Sequence, residues 1–258
     1  MKIVVCVKYV PDATADRKFN SDNTVDRVGV DGVLSELDEN AVEEALKLRE
    51  AHEGEVTVVT VGPEESRAAI LKSLQMGADA GVHVVDEAIH GSDAVATSLV
   101  LATTLQRQEF DVVMCGMAST DGGMSVLPAM LAERLGLPQV TLASELTVDG
   151  TTVRARRDGD VATETVEGTM PLVLSVTDAA NEPRYPSFKG IMSAKKKPVE
   201  TLSLADLEID ADQVGLRTAW TTVESFEPRP PRSAGTIVTD DGTGADQLVG
   251  FLSEQKFI

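Results

Sequence analysis

The residues best suited to chemistry form a glycine-rich run that follows an apolar strand pattern and leads into a helix pattern. It consists of Gly116-Met117-Ala118-Ser119-Thr120-Asp121-Gly122-Gly123-Met124-Ser125. Glycine lets the backbone turn tightly and expose N–H groups, and a helix N-terminus favours an anion. The run therefore predicts a cradle for a phosphate group, with the Ser125 hydroxyl as an additional donor. An ordinary strand–helix turn capped by Asp121 or Ser119 is the alternative, which stays open because the run lacks a P-loop lysine and the G-x-G-x-x-G pattern.

A second candidate is the acidic segment Leu37-Asp38-Glu39-Asn40, with Glu43-Glu44 close behind it. Paired carboxylates can exchange protons with a substrate, but acidic residues in the first turns of a helix more commonly complement its dipole. We interpret them in that second way. The three histidines and two cysteines show no metal-ligand spacing, and no histidine lies in a loop beside a plausible nucleophile. The sequence therefore predicts neither a catalytic residue nor a metal site.

A third candidate is the segment 181–197, which contains Tyr185, Phe188 and two prolines and ends in Lys195-Lys196-Lys197. Because aromatic residues make up only 3% of the chain, a phenylalanine in a loop after a core strand indicates an anchor for a partner protein. The alternative for the three lysines is a solvated run that offsets local acidity. A nucleic-acid patch is disfavoured, since no aromatic stacking platform accompanies the lysines.

The charge of the chain excludes two classes of partner. Its 258 residues carry 23 Lys and Arg against 42 Asp and Glu, which gives a formal net charge of −19. This balance argues against a general nucleic-acid binder and against docking on an anionic membrane, because both need clustered cations. An acidic surface of this kind repels itself at low salt, so we hypothesise a halophile-like protein from a salt-loving source.

The pattern of apolar residues and cysteines bears on the location of the protein. No apolar stretch approaches the ~20 residues of a membrane span, and the start of the chain lacks the pattern of a signal peptide. Cys6 and Cys115 do not make a disulfide framework for a chain of this length. We therefore expect a reduced, cytoplasmic protein that does not insert into a membrane.

The elements that must position these residues alternate between strand and helix over the first 145 residues. Val-rich runs predict buried parallel strands, and apolar residues at helical spacing predict the helices between them, with Asp38 as the N-cap of the first. The predicted strands lie at 2–8, 55–61, 81–85 and 111–115. This order predicts an α/β fold with a doubly wound, mostly parallel sheet, helices on both faces, and ligands beyond the carboxyl ends of the strands.

After residue 140 the pattern changes. Asp149-Gly150 and Asp158-Gly159 are hairpin-turn dipeptides, so segments 142–148, 151–157 and 161–166 predict an antiparallel meander. Residues 171–176 predict a buried strand that rejoins the main sheet. We expect a nucleotide-binding α/β domain at 1–200 and an extended C-terminal arm at 201–258, with a short helix at 244–255.

Several motifs in this order resemble one known family. The segment Asn181-Glu182-Pro183-Arg184-Tyr185-Pro186-Ser187, followed by Ile191-Met192 and Ala194-Lys195-Lys196-Lys197-Pro198, is similar to the characteristic stretch of electron transfer flavoprotein β subunits. The resemblance extends across most of the chain. The other similar runs are 5–12, 37–45, 76–79 with 82–84, 135–139, and 232–235.

The resemblance implies a carrier subunit and not an enzyme. The chain would form a heterodimer with an α subunit, which holds most of the FAD near the interface, while this chain holds a structural AMP. The heterodimer would carry electrons from flavin dehydrogenases toward a membrane quinone reductase. The C-terminal arm would pack on the α subunit.

The resemblance also assigns residues to the AMP pocket and to the docking surface. By position, the pocket residues are Cys6, Ser35, Glu36, Leu37, Asp38, Val61, Gly116, Met117, Ala118, Ser119, Thr120, Asp121, Gly122, Gly123, Met124, Ser125, Val126 and Leu127. The docking residues are Asn181, Glu182, Pro183, Arg184, Tyr185, Phe188, Lys195, Lys196 and Lys197, with Phe188 where the family commonly has an aliphatic anchor.

The sequence departs from the family at the proposed pocket. Ser35-Glu36 stand where the family often has Asn-Pro, and Gly122-Gly123 stand where acidic and amide residues are frequent. Contacts there would come from backbone N–H groups and Ser125. Three alternatives remain for the pocket: a second FAD, as in flavin-bifurcating members; an adenine-nucleotide-dependent enzyme or sensor; and a structural subunit with an empty pocket.

Overall fold

The computed structural model describes residues 1–232 and 235–258. The chain divides into two compact units, Met1–Glu224 and Ser225–Ile258. Two residues of the run at 232–235 that resembles the family, Ser233 and Ala234, lie outside the described residues.

The elements are numbered here in chain order. The strands are β1 (Lys2–Cys6), β2 (Tyr9–Pro11), β3 (Gly32–Leu34), β4 (Glu55–Val61), β5 (Ala80–Val84), β6 (Val112–Gly116), β7 (Gln139–Ala143), β8 (Glu145–Asp149), β9 (Thr152–Asp158), β10 (Thr163–Thr169), β11 (Leu172–Val176) and β12 (Val199–Leu202). The helices are α1 (Glu36–His52), α2 (Arg67–Met76), α3 (Ala94–Gln106), α4 (Leu127–Leu135), α5 (Phe188–Ala194) and α6 (Gly244–Glu254).

The first unit is built on a seven-stranded sheet in the order β12-β5-β4-β1-β6-β11-β7, in which all neighbours are parallel. The predicted α/β fold is therefore confirmed. After β1 the chain builds the sheet outward through β4 and β5, and then returns to place β6 on the other side of β1. Strand order thus reverses between β1 and β6, the position where open α/β sheets bind ligands outside the carboxyl ends of their strands.

Alternating residues of β1 enter two separate cores, one on each face of the sheet. Ile3 and Val5 pack in the core that contains the apolar side chains of α1 and α2. Val4 and Cys6 pack in the core that contains those of α3 and α4. Strands covered on both faces need apolar residues at nearly every position, which explains the unbroken Val-rich runs of the sequence.

The antiparallel meander is β8-β9-β10, and its limits differ from the prediction. Residues 139–143, which overlap the predicted first strand, form β7 of the main sheet beside β11. The turn between β8 and β9 is at Gly150, whose φ of +57° favours glycine. The short hairpin of β2 and β3 has no counterpart in the prediction, because each of its strands has only three residues.

The first unit continues beyond the predicted boundary at residue 200. Strand β12 pairs with β5 at the edge of the sheet, and Leu204, Leu207 and Val214 are buried in the α3–α4 core. Their irregular spacing between polar residues gives no periodic signal, so the sequence predicted an arm there. In the second unit, α6 closely matches the predicted helix, and Leu248, Val249 and Phe251 on it are each more than half exposed.

Candidate functional site

A cleft of about 270 Å³ opens beyond the carboxyl ends of β1 and β6, at the reversal of strand order. Cys6 and Cys115, which are neighbours in the register of β1 and β6, both line it. The N-terminal ends of α3 and α4 also reach it, because Ala94 and Leu127 belong to its wall. Two helix N-termini and a sheet edge therefore surround one cavity. The α3 N-terminus is already capped by the Asp93 carboxylate, so the N-terminus of α4, which has no side-chain cap, is the one suited to an anionic ligand.

Most of the glycine-rich loop faces this cleft. Among the predicted pocket residues, those that line it are Cys6, Asp38, Val61, Gly116, Met117, Ala118, Ser119, Gly122, Met124, Ser125, Val126 and Leu127. Ser35, Glu36, Leu37, Thr120, Asp121 and Gly123 are not part of its lining. Ser35 is fully buried, and its Oγ has no hydrogen-bond partner among the described residues.

The wall of the cleft also includes residues that the sequence analysis did not select. They are Val7, Lys8, Ser92, Asp93, Ala94, Thr97, Leu101, Cys115 and Pro128. Two signals could have identified some of them. Val7 and Lys8 form the carboxyl end of the predicted strand 2–8, and ligands are expected at that end of a strand. Asp93 is a helix N-cap, whose carboxylate accepts from the backbone N–H groups of Val95 and Ala96 at 3.0 Å each.

Gly116 explains how closely the loop approaches α1. A Cβ at this position would lie 2.6 Å from both Asp38 Oδ1 and the carbonyl oxygen of Leu37. The φ of Gly123, +62°, also favours glycine. These two glycines set the path of the loop between β6 and the start of α4.

Asp38 connects the elements below the cleft and does not cap α1, contrary to the sequence prediction. The helix begins after Ser35, and Asp38 Oδ2 accepts a 2.8 Å hydrogen bond from the backbone N–H of Lys8. Burial raises the pKa of Asp38 to about 7, although hydrogen bonds from the backbone of Lys8 and Gly116 favour the charged form. Its carboxyl group thus links α1 to the ends of β1 and β6.

Asp121 has ion-pair partners that the sequence could not indicate. Its side chain is 2% exposed and accepts from Lys8 Nζ at 2.9 Å and from the Arg27 guanidinium. These cations hold the pKa of Asp121 well below its usual range, despite the opposing effect of burial. Neither Asp121 nor Ser119 caps α4, whose N-cap position is Val126 and has no side-chain cap. Within the loop, however, Asp121 Oδ1 and Ser119 Oγ both accept from the backbone N–H of Gly122, at 2.7 and 3.3 Å, so the alternative of a turn capped by these residues stays open.

The segment 181–197 is fixed to α1 by charged and amide side chains. Arg184 donates from Nε to Glu43 Oε2 at 2.7 Å and from an Nη to Glu43 Oε1 at 2.9 Å. Its other Nη donates to Glu50 at 2.5 Å, and these acids raise the pKa of Arg184 further above its ordinary value. Asn181 donates to the carbonyl of Asn40 at 3.0 Å, while Asn40 donates to the carbonyl of Asn181 at 2.9 Å. The acidic side chain of Glu43 therefore has a structural partner, beyond its place in the helix dipole.

Beyond this attachment the segment exposes apolar side chains. Tyr185 is 93% exposed and Phe188 is 81% exposed. Phe188 begins α5, which is capped by the Ser187 hydroxyl accepting from the backbone N–H of Gly190 at 3.0 Å. Lys195 and Lys196 are exposed, whereas Lys197 donates to the carbonyls of Leu74 and Ala78 at the end of α2. The three lysines are therefore not a uniform solvated run.

Comparison with known proteins identifies the family. The model of the electron transfer flavoprotein domain matches residues 22–207. The electron transfer flavoprotein subunit beta of Mycobacterium tuberculosis H37Rv is 46% identical over 99% of both chains. The corresponding subunit of Bacillus subtilis is 37% identical over 89% of this chain and 90% of its own length. That of Megasphaera elsdenii is 33% identical over the whole of both chains.

The chain belongs to the family of electron transfer flavoprotein β subunits. The resemblance inferred from its motifs is thereby confirmed, and the family is one of electron-transfer subunits and not of enzymes. The matched part of this β subunit includes the glycine-rich loop and the segment 181–197, while Cys6 and Lys8 precede it. None of the helices in the described part of the chain is long and apolar enough to cross a membrane.

Proposed function

We propose that this β subunit pairs with an α subunit and that the heterodimer carries electrons from flavin dehydrogenases toward a quinone reductase. An FAD held mainly by the α subunit would accept and release the electrons. This chain would hold a structural AMP, provide the docking segment for the dehydrogenases, and place its C-terminal arm on the α subunit. Family membership supports the electron-carrying role.

The observation that carries the AMP proposal is the glycine-rich loop opening onto a cleft beside two helix N-termini. Backbone N–H groups of the loop and the Ser125 hydroxyl are suited to a phosphate group. Aliphatic side chains of Val7, Val61 and Leu101 in the same wall are suited to the faces of an adenine ring. The residues present therefore fit a mononucleotide that has one apolar and one anionic end.

Two features of the segment 181–197 support its docking role. Its base is fixed by Arg184 and Asn181, so the exposed Tyr185 and Phe188 are presented from an ordered support. Large aromatic side chains on a rigid support are common energetic anchors of protein interfaces. Lys195 and Lys196 add positive charge beside them in a chain of net charge −19, which favours a partner with an acidic rim.

The second unit supports pairing with an α subunit. On α6, Leu248 is 58% exposed and Phe251 is 52% exposed, while Phe257 and Ile258 beyond it are each 72% exposed. Such a group of exposed apolar side chains is typical of a segment that is covered in an assembly. Deletion of residues 243–258 should therefore weaken co-purification with the α subunit.

One experiment tests the cofactor content. The chain is co-expressed with its α subunit, the heterodimer is purified, and its nucleotides are released by denaturation and identified by mass spectrometry. One FAD and one AMP per heterodimer are expected. Two FAD per heterodimer would instead mean that a second flavin, and not AMP, occupies the cleft. The absence of any adenine mononucleotide would refute the AMP site. Turnover of ATP by the chain would refute a purely structural role for the nucleotide.

A further inference from the structure

The candidate cleft contains a cation that the glycine-rich loop itself does not supply. Lys8 follows β1, and its Nζ lies 2.9 Å from Asp121 Oδ1 and 3.4 Å from Ser119 Oγ. Lys8 and Ser119 line the cleft, whereas Asp121 does not. The side chain of Lys8 is 41% exposed and that of Asp121 is 2% exposed. The Lys8 side chain therefore reaches the cleft surface while its carboxylate partner is buried; burial lowers the pKa of Lys8, and the Asp121 carboxylate opposes that effect.

The neighbouring charges do not neutralise this ammonium group completely. Asp121 is shared, because the guanidinium of Arg27 also binds its second carboxylate oxygen. Arg17 donates to the carbonyls of Pro11 and Thr120 at 2.9 and 3.0 Å, which adds a further cation beside the loop, with Asp12 close to it. Asp38 also lines the cleft, and because burial raises its pKa to about 7 it is only partly charged at neutral pH. One carboxylate thus serves two cations at this edge of the cleft.

We propose that Lys8 is a phosphate-binding residue of the cleft and that Asp121 positions its side chain for this role. The inference rests on the proposed adenine-nucleotide site and assigns a side chain to one part of that ligand. A lysine ammonium group has three donors. Asp121 and Ser119 occupy two of them, and the third remains for a phosphate oxygen. The other donors are backbone N–H groups of the loop apart from those of Gly122 and Gly123, which donate to Asp121 and Ser119 within the loop.

This arrangement performs the task of a P-loop lysine without its sequence motif. In a P-loop, the lysine belongs to the same loop as the glycines and reaches the phosphates from there. Here Lys8 and Ser119 are separated by 111 positions in the chain. The parallel pairing of β1 with β6 brings them together, because the carboxyl ends of both strands lie at the same edge of the sheet.

The experiment compares AMP with adenosine, which lacks only the phosphate group. The heterodimer with the α subunit is purified and its resident nucleotide is removed. AMP and adenosine are then titrated into it and their binding is measured by calorimetry. Lys8→Met should weaken AMP binding about tenfold or more, since a charge-assisted hydrogen bond is lost, and should change adenosine binding by less than about twofold. Lys8→Arg retains the charge and should restore most of the affinity for AMP.

Lys2→Met is the matched control, because Lys2 lies at the other end of β1 and also pairs with a carboxylate, that of Glu109. It should leave both affinities unchanged. Equal weakening of AMP and adenosine by Lys8→Met, or no weakening of either, would overturn the role of Lys8. Failure of the unmodified heterodimer to bind AMP would instead refute the proposed nucleotide site. If Lys8→Met does not assemble with the α subunit, Lys8→Gln, which also removes the ammonium charge, should weaken AMP binding selectively in the same way.

Discussion

The attachment of Arg184 to α1 gives the sharpest test of how the segment 181–197 is held. Arg184→Met removes the guanidinium but retains much of the side-chain length. Glu43 would lose its two side-chain hydrogen bonds from Arg184 and keep the 3.1 Å bond from the backbone N–H of that residue. Glu50 would lose Arg184 but keep its 3.7 Å ion pair with Arg49 at the surface. In the variant, the buried Glu43 carboxylate therefore accepts only one hydrogen bond from residue 184, that of its backbone N–H.

The exposure of the three side chains sets the expected magnitude. The side chain of Glu43 is 8% exposed, that of Arg184 is 33% exposed and that of Glu50 is 49% exposed. Removing one partner of a buried ion pair costs roughly 3–5 kcal/mol, whereas an exposed pair contributes about 0–1 kcal/mol. Because water reaches a third of the arginine, we expect Arg184→Met to lower the free energy of unfolding by about 2–3 kcal/mol.

Urea denaturation of the chain measures this loss, and the meander provides a matched control. Arg154 pairs with Glu167, and both side chains are about half exposed or more, at 64% and 49%. Arg154→Met should therefore cost less than about 1 kcal/mol. Combining Arg184→Met with Glu43→Gln should recover part of the stability, since the unpaired buried charge is then absent. Equal losses for Arg184→Met and Arg154→Met would refute the structural importance of the Arg184 attachment.

Three further predictions test the docking surface, the loop and the buried acid. Phe188→Asp should raise the KM for a partner dehydrogenase at least tenfold without removing FAD from the heterodimer. Val161→Asp, on the similarly exposed meander loop, is the control and should leave this KM unchanged. Unchanged kinetics for Phe188→Asp would contradict docking through Phe188. Gly116→Ala should reduce the AMP content of the heterodimer, because the added Cβ would lie 2.6 Å from the carbonyl oxygen of Leu37. Gly250→Ala is the control, since nothing lies within 4 Å of a Cβ at that position. Full AMP occupancy in Gly116→Ala would mean that the loop is not a close-fitting cradle. The raised pKa of Asp38 favours its protonated form in the folded state, so its contribution to stability is present below about pH 4 and is lost as the pH rises through about 7. Relative to Asp38→Asn, the natural chain should lose on the order of 4 kcal/mol of unfolding free energy between pH 4 and pH 8. Urea denaturation of both chains at each pH measures this loss. A difference in unfolding free energy between the two chains that does not change with pH would contradict the prediction.

Local patterns in the sequence determined the central sheet. The run 55–61 predicts β4 with its observed limits, and the apolar run after Pro171 predicts β11. Burial on both faces requires apolar residues at successive positions, so these strands are recorded directly in the chain. The glycine-rich loop was equally visible, because Gly116 and Gly123 answer local requirements of close approach and positive φ.

The sequence did not predict which distant polar groups meet. Glu43 resembled an ordinary acid in the first turns of a helix, yet its main partner, Arg184, is 141 positions away. Asp121 resembled a helix cap, yet it binds Arg27, 94 positions away. An ion pair depends on the placement of two residues in space and creates no periodic pattern along the chain. Strand β12 was missed for a related reason, since only the exposed edge of β5 makes its four residues a strand.

The sequence by itself thus determined the family, the parallel sheet and the loop that faces the cleft, since apolar periodicity, turn glycines and family motifs are properties of neighbouring residues. The tertiary structure decided which charges surround that loop and how the segment 181–197 is supported. Parallel pairing of β1 with β6 brings Lys8 to Ser119 and Asp121. The packing of the segment on α1 brings Arg184 to Glu43. The physical reason is that hydrophobic burial selects the arrangement of strands and helices, and that arrangement alone sets the distances between polar groups far apart in the chain.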